Sequence, residues 1–416
     1  MRDEVTELLS RLIRVDTTNP PGNETAAAEL LRDYLEANGV ACELYARTPE
    51  RANLVARIPG TGDGPSLLLL GHTDVVLADP AEWSAPPFGG EVRNGEVWGR
   101  GALDMKSQVA ANAVAIASLA REGFTPSGDL VFAATADEEV GAGFGLEWLC
   151  DAHPDAVRVD YCINEGGGDR LELDGGVYYV CTRAEKMSAP FVIRVRGRSG
   201  HASMPGIADN ALVKAAPLIE RIAAYRPAQH VPVEVEGFVA ALGATLDTLS
   251  PVAAEMVEPL LSPTFSPTMI AASQKRNIIP AVCEITVDCR LPPGTTPADV
   301  EPEIRAVLGD DVDYELEFTE AHGGTRSPAS PLWDAVESFV AEVEPGAKAV
   351  PMMTAGFTDS HWLREAFGTV AYGFFPVKMA PDLMAQLIHS ADERIPVDDL
   401  ELGLRWLRHA ARTLSS

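Results

Sequence analysis

The sequence predicts an α/β protein: a mixed, mostly parallel sheet flanked by helices, interrupted by a smaller inserted α+β unit. Three observations carry this. Uninterrupted apolar strands alternate with helices through the first part of the chain, the pattern of a parallel sheet covered on both faces. From about 187 to 320 the order becomes β-α-β-β-α-β, the ferredoxin-like sequence of elements. After that α/β character returns, and 416 residues are too many for one ordinary core. The expected division is 1–186 with 321–416 as the main domain and 187–320 as the insertion.

The elements follow in order. "MRDEVTELLSRLIRV" is an amphipathic helix ending before the turn-rich "TTNPPGNE". "ETAAAELLRDYLEANG" is a second helix, closed by Gly39. "ACELYA" and "ANLVARIP" are short strands, and "SLLLLGH" is a fully buried one. The alanine-rich "KSQVAANAVAIASLAREG" is a helix, followed by strands "GDLVFAATADEE" and "VDYCINEGGG" with helix "GLEWLCDAHP" between them. In the insertion we read strand "APFVIRVRG", helix "NALVKAAPLIERIAAY", strands "TMIAAS" and "VCEITVDCR", helix "PADVEPEIRAVL" and strand "VDYELEFT". Helix "LWDAVESFVAEV", strand "VAYGFFP" and helix "DDLELGLRWLRHAARTL" complete the main domain. The apolar, proline-punctuated stretch from Gly237 to Pro267 is long for a loop. It is compatible with a pocket lining, a subunit contact or a helical cap.

Composition narrows the function. Sixty-one acidic residues against 33 basic ones give a formal charge of −28. That leaves no basic footprint for nucleic acid and disfavours an anionic membrane surface. The N-terminus lacks the apolar core of a signal peptide, and no window is apolar enough for a membrane span. Six scattered cysteines show no CxxC or zinc-ribbon spacing, and Cys283 and Cys289 lie too far apart along one strand to bridge. A reducing cytoplasm is the expected compartment.

The polar residues that end the apolar strands are the strongest signal. His72 and Asp74 follow four leucines, Asp104 precedes the alanine-rich helix, Glu138 and Glu139 end "LVFAATADEE", Glu165 ends "VDYCINE", and His389 follows "AQLI". Ligands of open α/β sheets bind beyond the carboxyl ends of the strands, so these groups are expected on one rim. Converging carboxylates repel unless a cation lies between them. Imidazole with carboxylate suits zinc, with cobalt or manganese as other options, and the donors exceed what one tetrahedral ion needs. Two ions bridged by one carboxylate would use them all.

"GHTDVV", "GRGALDMK", "TADEEVGA", "NEGGG", "GRSGHASMP" and "HSADERI" resemble, in order and spacing, the M20 family of dinuclear zinc peptidases and amidohydrolases. That family includes glutamate carboxypeptidase, succinyl-diaminopimelate desuccinylase, acetylornithine deacetylase and aminoacylase. The resemblance implies a zinc-peptidase-type catalytic domain and a lid that also serves dimerisation. It implies that His72 and Glu165 hold one zinc, Glu139 and His389 the other, and that Asp104 bridges them. Asp74 would accept a hydrogen bond from His72 and fix its tautomer. Glu138 would be the general base for a metal-acidified water, and His201 would donate to the oxyanion, from the partner subunit in dimeric relatives. Asn277 and Arg290 match lid residues that grip the substrate carboxylate, and Thr358 and Asp359 are expected to face the substrate pocket.

"EKMSAPF", in place of the Arg-Gly pair of desuccinylases, looks closer to the branch of carboxypeptidase S and the N-acyl-amino-acid hydrolases. Glu165, where aminopeptidases of the family carry aspartate, points to a substrate with a free carboxylate. The expected activity is therefore hydrolysis of an N-acyl amino acid or short peptide. The second expectation is a biosynthetic deacylase of the desuccinylase or deacetylornithine type. Two other classes fit the sequence less well. "VGAGFG" lacks the last glycine of a dinucleotide motif, with Leu146 in its place. A non-catalytic, metal-stabilised binding protein would have no use for a base at Glu138. A site with a single ion remains a further option that metal counting resolves.

Overall fold

Every residue of the strand Leu67–His72 is buried. In the computed structural model, which describes residues 1–173 and 175–414, this strand lies inside a nine-stranded sheet. Successive side chains leave a strand on opposite faces. Leu67 and Leu69 thus enter one core, while Leu68 and Leu70 enter another. With both faces covered, the run tolerates no polar side chain until its end.

Helix Lys106–Arg121 covers the first face and is buried from Lys106 to Leu119. Its alanines allow a close approach: a Cβ added at Gly71 would meet Val109 Cγ2 at 2.9 Å. Helices Arg2–Ile13 and Val397–Leu414 pack over it. Helices Leu146–Ala152 and Ser360–Phe367 cover the second face through Leu146, Leu149 and Leu363.

Across the sheet the strands run Cys42–Ala46, Ala52–Ile58, Leu130–Thr135, Leu67–His72, Tyr161–Asn164, Val370–Gly373, Gly176–Glu185 and Lys348–Thr354. The central pairs are parallel, and the pairs at the Cys42–Ala46 edge are antiparallel. Two of these strands, Gly176–Glu185 and Lys348–Thr354, are not among the elements read from the sequence. The first forms a hairpin with Arg170–Leu173 instead of following a helix, so the alternation that flags its neighbours is missing. A small sheet of Glu91–Arg93, Glu96–Trp98 and Arg394–Pro396 ties the C-terminal part to the segment before Asp104.

Residues 187–318 build a second, antiparallel sheet. Its main strands lie in the order Thr264–Ala271, Val282–Leu291, Phe191–Arg196, Tyr314–Phe318. That is the ferredoxin-like arrangement expected for β-α-β-β-α-β. Helices Ala211–Ala224 and Pro297–Leu308 cover one face with Leu218, Ile222, Val300 and Ile304.

The long apolar stretch within this part proves to be a cap. Helices Val233–Ala241 and Pro251–Val257 place Val235, Phe238 and Val257 against Tyr178, Val350 and Met352 of the main sheet. All six cysteines are free. Among the described residues no helix is long and apolar enough to cross a membrane.

Candidate active site

Parallel pairing aligns the strand ends: His72 lies opposite Thr135, two residues before Asp137, and Leu69 lies opposite Ile163, two residues before Glu165. The chain leaves each strand at the same rim, and a turn of Glu138–Val140 follows there. This register brings together six of the expected residues. His72 Nε2 is 3.1 Å from Asp104 Oδ1, 3.8 Å from Glu165 Oε1 and 3.9 Å from Glu138 Oε2. On the other side of Asp104, His389 Nε2 is 3.1 Å from Oδ2 and 3.4 Å from Glu139 Oε2. One carboxylate therefore stands between two imidazoles, each with its own glutamate. His389 reaches this position from a left-handed backbone, φ 59°.

The electrostatics are those of negative charge gathered in a dry place. Burial pushes Glu165 up to about 8, and the neighbouring Asp104 adds to the push. Burial also raises Glu138 well above the usual carboxylate range. Hydrogen bonds to Asp104 and Glu139 hold His389 up at about 10. Burial works against a charge on His72, but Glu165, Asp104 and Asp74 together draw it up. Asp104, despite burial, is held low by its contacts with His389 and His72.

Glu139 Oε1 is buried and has no hydrogen-bond partner among the described residues. An orphaned anionic oxygen of this kind is costly unless a cation receives it. The donor atoms of His72, Glu138 and Glu165, and those of His72, Asp104 and Glu139, form sets lying within 4.8 Å. Imidazole nitrogen and carboxylate oxygen are the donors that zinc and its neighbours select. The residues fit a divalent metal.

Buried supports hold these donors in place. His72 Nδ1 lies 3.0 Å from the Asp74 main-chain oxygen and 3.4 Å from Oδ1, so the partner expected in the Asp74 carboxylate is shared with its carbonyl. The Asp74 carboxylate is spent mainly elsewhere. It accepts the N–H groups of Glu138 (3.2 Å) and Glu139 (3.1 Å) and the Asn19 amide (2.9 Å), so it fixes the turn that presents both glutamates. Asn19 and Arg51 also donate to Asp137, and Arg51 pairs with buried Glu24.

Glu393 does the same for Asp104. Fully buried, it accepts the N–H groups of Gly101, Leu103 and Asp104 and the Arg100 guanidinium at 2.7–3.0 Å. Sequence reasoning assigned no role to Asn19, Arg51, Arg100 or Glu393. The available signals were Glu393 lying inside "HSADERI" and Arg100 inside "GRGALDMK".

Thr358 and Asp359, expected to face the substrate pocket, are both largely buried, and the charge of Asp359 bears on Glu138 and Glu165. Thr358 spends its N–H and hydroxyl on buried Glu185, which also pairs with Arg364. Asp359 is 3% exposed and accepts from Thr135 at 3.1 Å; burial pushes it up to about 7.

His201 and Asn277 adjoin one another, since Ala202 N–H donates to the Asn277 carbonyl. Both are exposed, and His201 Nδ1 meets Ser203 Oγ at 2.7 Å. Arg290 forks onto Asp288 at 3.0–3.2 Å. Nothing in this chain joins these three to the cluster by hydrogen bond or ion pair among the described residues.

A family model described as peptidase family M20/M25/M40 matches residues 68–413. Succinyl-diaminopimelate desuccinylase of Methylobacterium nodulans is 32% identical over 409 residues, 95% of this chain and 92% of that one. The enzyme of the same name from Delftia acidovorans is 29% identical over 408 residues, covering 95% and 94%. Among solved structures, an M20 family metallo-carboxypeptidase from Sulfolobus solfataricus superposes with a TM-score of 0.74 at 18% identity, covering 99% of each chain. Human carnosine dipeptidase 1 gives 0.71 at 15%, covering 100% of this chain and 97% of that one.

Proposed function

The chain belongs to peptidase family M20/M25/M40, whose members hydrolyse amide bonds with the help of metal, and from that membership we propose that it deacylates N-acyl amino acids. The observation that carries this reading is Asp104 set between His72 and His389 with Glu138 beside them. His72 and Glu165 would hold one divalent ion, His389 and Glu139 a second, with Asp104 shared; zinc suits these donors best. Such a pair supplies polarisation of the scissile carbonyl and a water nucleophile at neutral pH.

The chain's own residues supply the rest. Glu138 takes the proton of the attacking water, and burial, which raises its proton affinity, suits it to hold that proton. As the carbon–nitrogen bond breaks, Glu138 returns the proton to the departing nitrogen. The products are a carboxylic acid and a free amino acid. Asp74 keeps Glu138 on station through its N–H.

The oxyanion donor and the carboxylate grip come from the lid. Arg290 pairs in register with Ser188 and Thr264, at the opposite end of its strand from Val282. Eight residues of strand put ~26 Å between these ends, and His201 and Asn277 lie beyond the Val282 end. Arg290 and His201 of one chain therefore cannot flank one small substrate. The reading requires His201 of the partner subunit, hence a homodimer through the lid. The edge strand Thr264–Ala271 suits such a contact, with Met269 68% and Ile270 50% exposed and Leu212, Val213 and Ile278 exposed as well.

The relatives matched by sequence favour the second sequence expectation over the first: both of those named above are desuccinylases. Both readings share a leaving amino acid with a free carboxylate. The test is release of amino acid from N-acyl amino acids and dipeptides with free or amidated carboxyl ends. Cleavage confined to free acids supports the proposal; equal turnover of amidated substrates overturns the role of Arg290.

A further inference from the structure

We propose that the cavity between the Glu165–Asp169 loop and helix Pro381–Leu387 is the acyl pocket, and that it takes an uncharged, apolar acyl chain in preference to a dicarboxylic one. The inference rests on the deacylase reading above and names its substrate class.

The cavity measures about 250 Å³ and has Asp104 and Glu165 in one wall, so a group held there flanks the scissile bond. If the amino acid's carboxylate goes to Arg290 on the lid, the acyl half is left for this cavity. Leu103, Met105, Phe375, Val377, Met384 and Ile388 are among its other lining residues, beside the uncharged Ser107 and Gln108. The volume falls below the ~300–1,000 Å³ of pockets for drug-sized ligands, which limits the occupant to a short or medium chain.

Charge decides which chain. No lysine or arginine lines the cavity among the described residues; its acidic side chains are Asp104 and Glu165, which would be spent on the metal, and Asp169. Four lysines and arginines adjoin lining residues in sequence, and each is committed elsewhere; His389, next to Ile388, would be spent on the metal. Lys106 Nζ donates to the carbonyls of Leu12 (3.1 Å) and Val15 (2.7 Å). Arg170 is held by Glu344 and Glu172. Lys378 faces Glu344 at 3.9 Å, and Arg394 faces Glu96 at 3.3 Å. The terminal carboxylate of a succinyl group would lose its water there and meet no lysine or arginine to receive it. An alkyl chain of equal length gains by burial. The desuccinylases named above act on an acyl group that this lining does not suit.

The experiment measures kcat/KM on one amino acid carrying acetyl, butanoyl, pentanoyl, hexanoyl, octanoyl, succinyl or methyl-succinyl groups. We expect about a threefold to fourfold rise per methylene until the cavity is full. The succinyl substrate should fall ~10–100-fold below pentanoyl, and its methyl ester should recover most of that loss because only the charge differs. Pentanoate should inhibit competitively at lower concentration than succinate. Succinyl turnover equal to or above pentanoyl overturns the inference while leaving the deacylase reading intact. If no N-acyl amino acid is cleaved, the deacylase reading fails and the inference falls with it.

Met384→Arg, on a partly exposed helix, places a cation in the wall. It should raise the succinyl-to-pentanoyl ratio about tenfold or more with metal content unchanged, whereas Met384→Gln should not. An unchanged ratio in a folded, metal-loaded Met384→Arg protein overturns the placement of the acyl chain.

Discussion

The carboxylate of Glu393 accepts the backbone N–H of Asp104 at 3.0 Å across 289 positions of sequence. It also takes the N–H groups of Leu103 and Gly101, so the loop carrying Asp104 is fastened to the segment carrying His389. Glu393→Ala should lower metal affinity by ~10–100-fold, the usual cost of losing a support behind a metal ligand. It should also cost ~3–5 kcal/mol of stability, because Arg100 is left buried and unpaired. Chelator competition and denaturant titration measure the two effects. Metal affinity equal to that of the wild type would refute the support role.

Glu138 stands 3.9 Å from His72 Nε2 and carries the proton in the proposed reaction. Glu138→Gln should lose ~10²–10⁴ in kcat while keeping fold and metal. A variant that loses its metal as well would show that Glu138 serves as a ligand.

The proposal that the partner subunit completes the active site is testable by mixing two inactive proteins. Glu138→Gln disables its own site but still lends His201; His201→Ala keeps its own base but lends nothing. After subunit exchange of equal amounts, half the dimers are mixed and each has one complete site, so about a quarter of wild-type activity should return. Mixtures that stay inactive, with mixed dimers demonstrated by mass spectrometry, would remove the partner's His201 from the reaction.

His361 supplies a pH dependence away from the metal donors. It is fully buried with Nδ1 at 2.7 Å from the Thr358 carbonyl, and burial pulls its pKa down to about 4. An unfolded histidine titrates near 6.5. Below that value the unfolded chain binds a proton that the folded one refuses, so stability is whole above pH ~6.5 and drains away as pH falls towards ~4. The loss across that window is on the order of 3 kcal/mol. Denaturation at intervals between pH 4 and 7.5 should show this slope flattened in His361→Phe. An equal slope in both proteins would assign the dependence to other groups.

Much of the site was readable because its residues announce themselves locally. His72 breaks an apolar run, and Glu138, Glu139 and Glu165 each follow one, so a strand ending in a polar group is visible without a structure. The sheet's core strands were readable for the same reason. Glu393, Arg100 and Asn19 were not, since their meaning lies in partners far away in sequence. The buried partners of Thr358 and Asp359, Glu185 and Thr135, were equally unreadable, because they come from distant strands that the loop's own sequence does not announce. Strand Lys348–Thr354 escaped notice through its short, mixed run, and it becomes intelligible only once Phe238 and Val257 are seen against Val350 and Met352.

That last packing has a practical meaning. Between the first helix of the small sheet and its second strand, the polypeptide crosses over, plasters the flank of the large sheet, and returns. Excising 187–320 to isolate the half with the candidate metal ligands would peel this plaster away and leave Tyr178, Val350 and Met352 bare to water. The two halves are thus stitched together, and a fragment meant to survive alone would have to carry residues 233–260 with it.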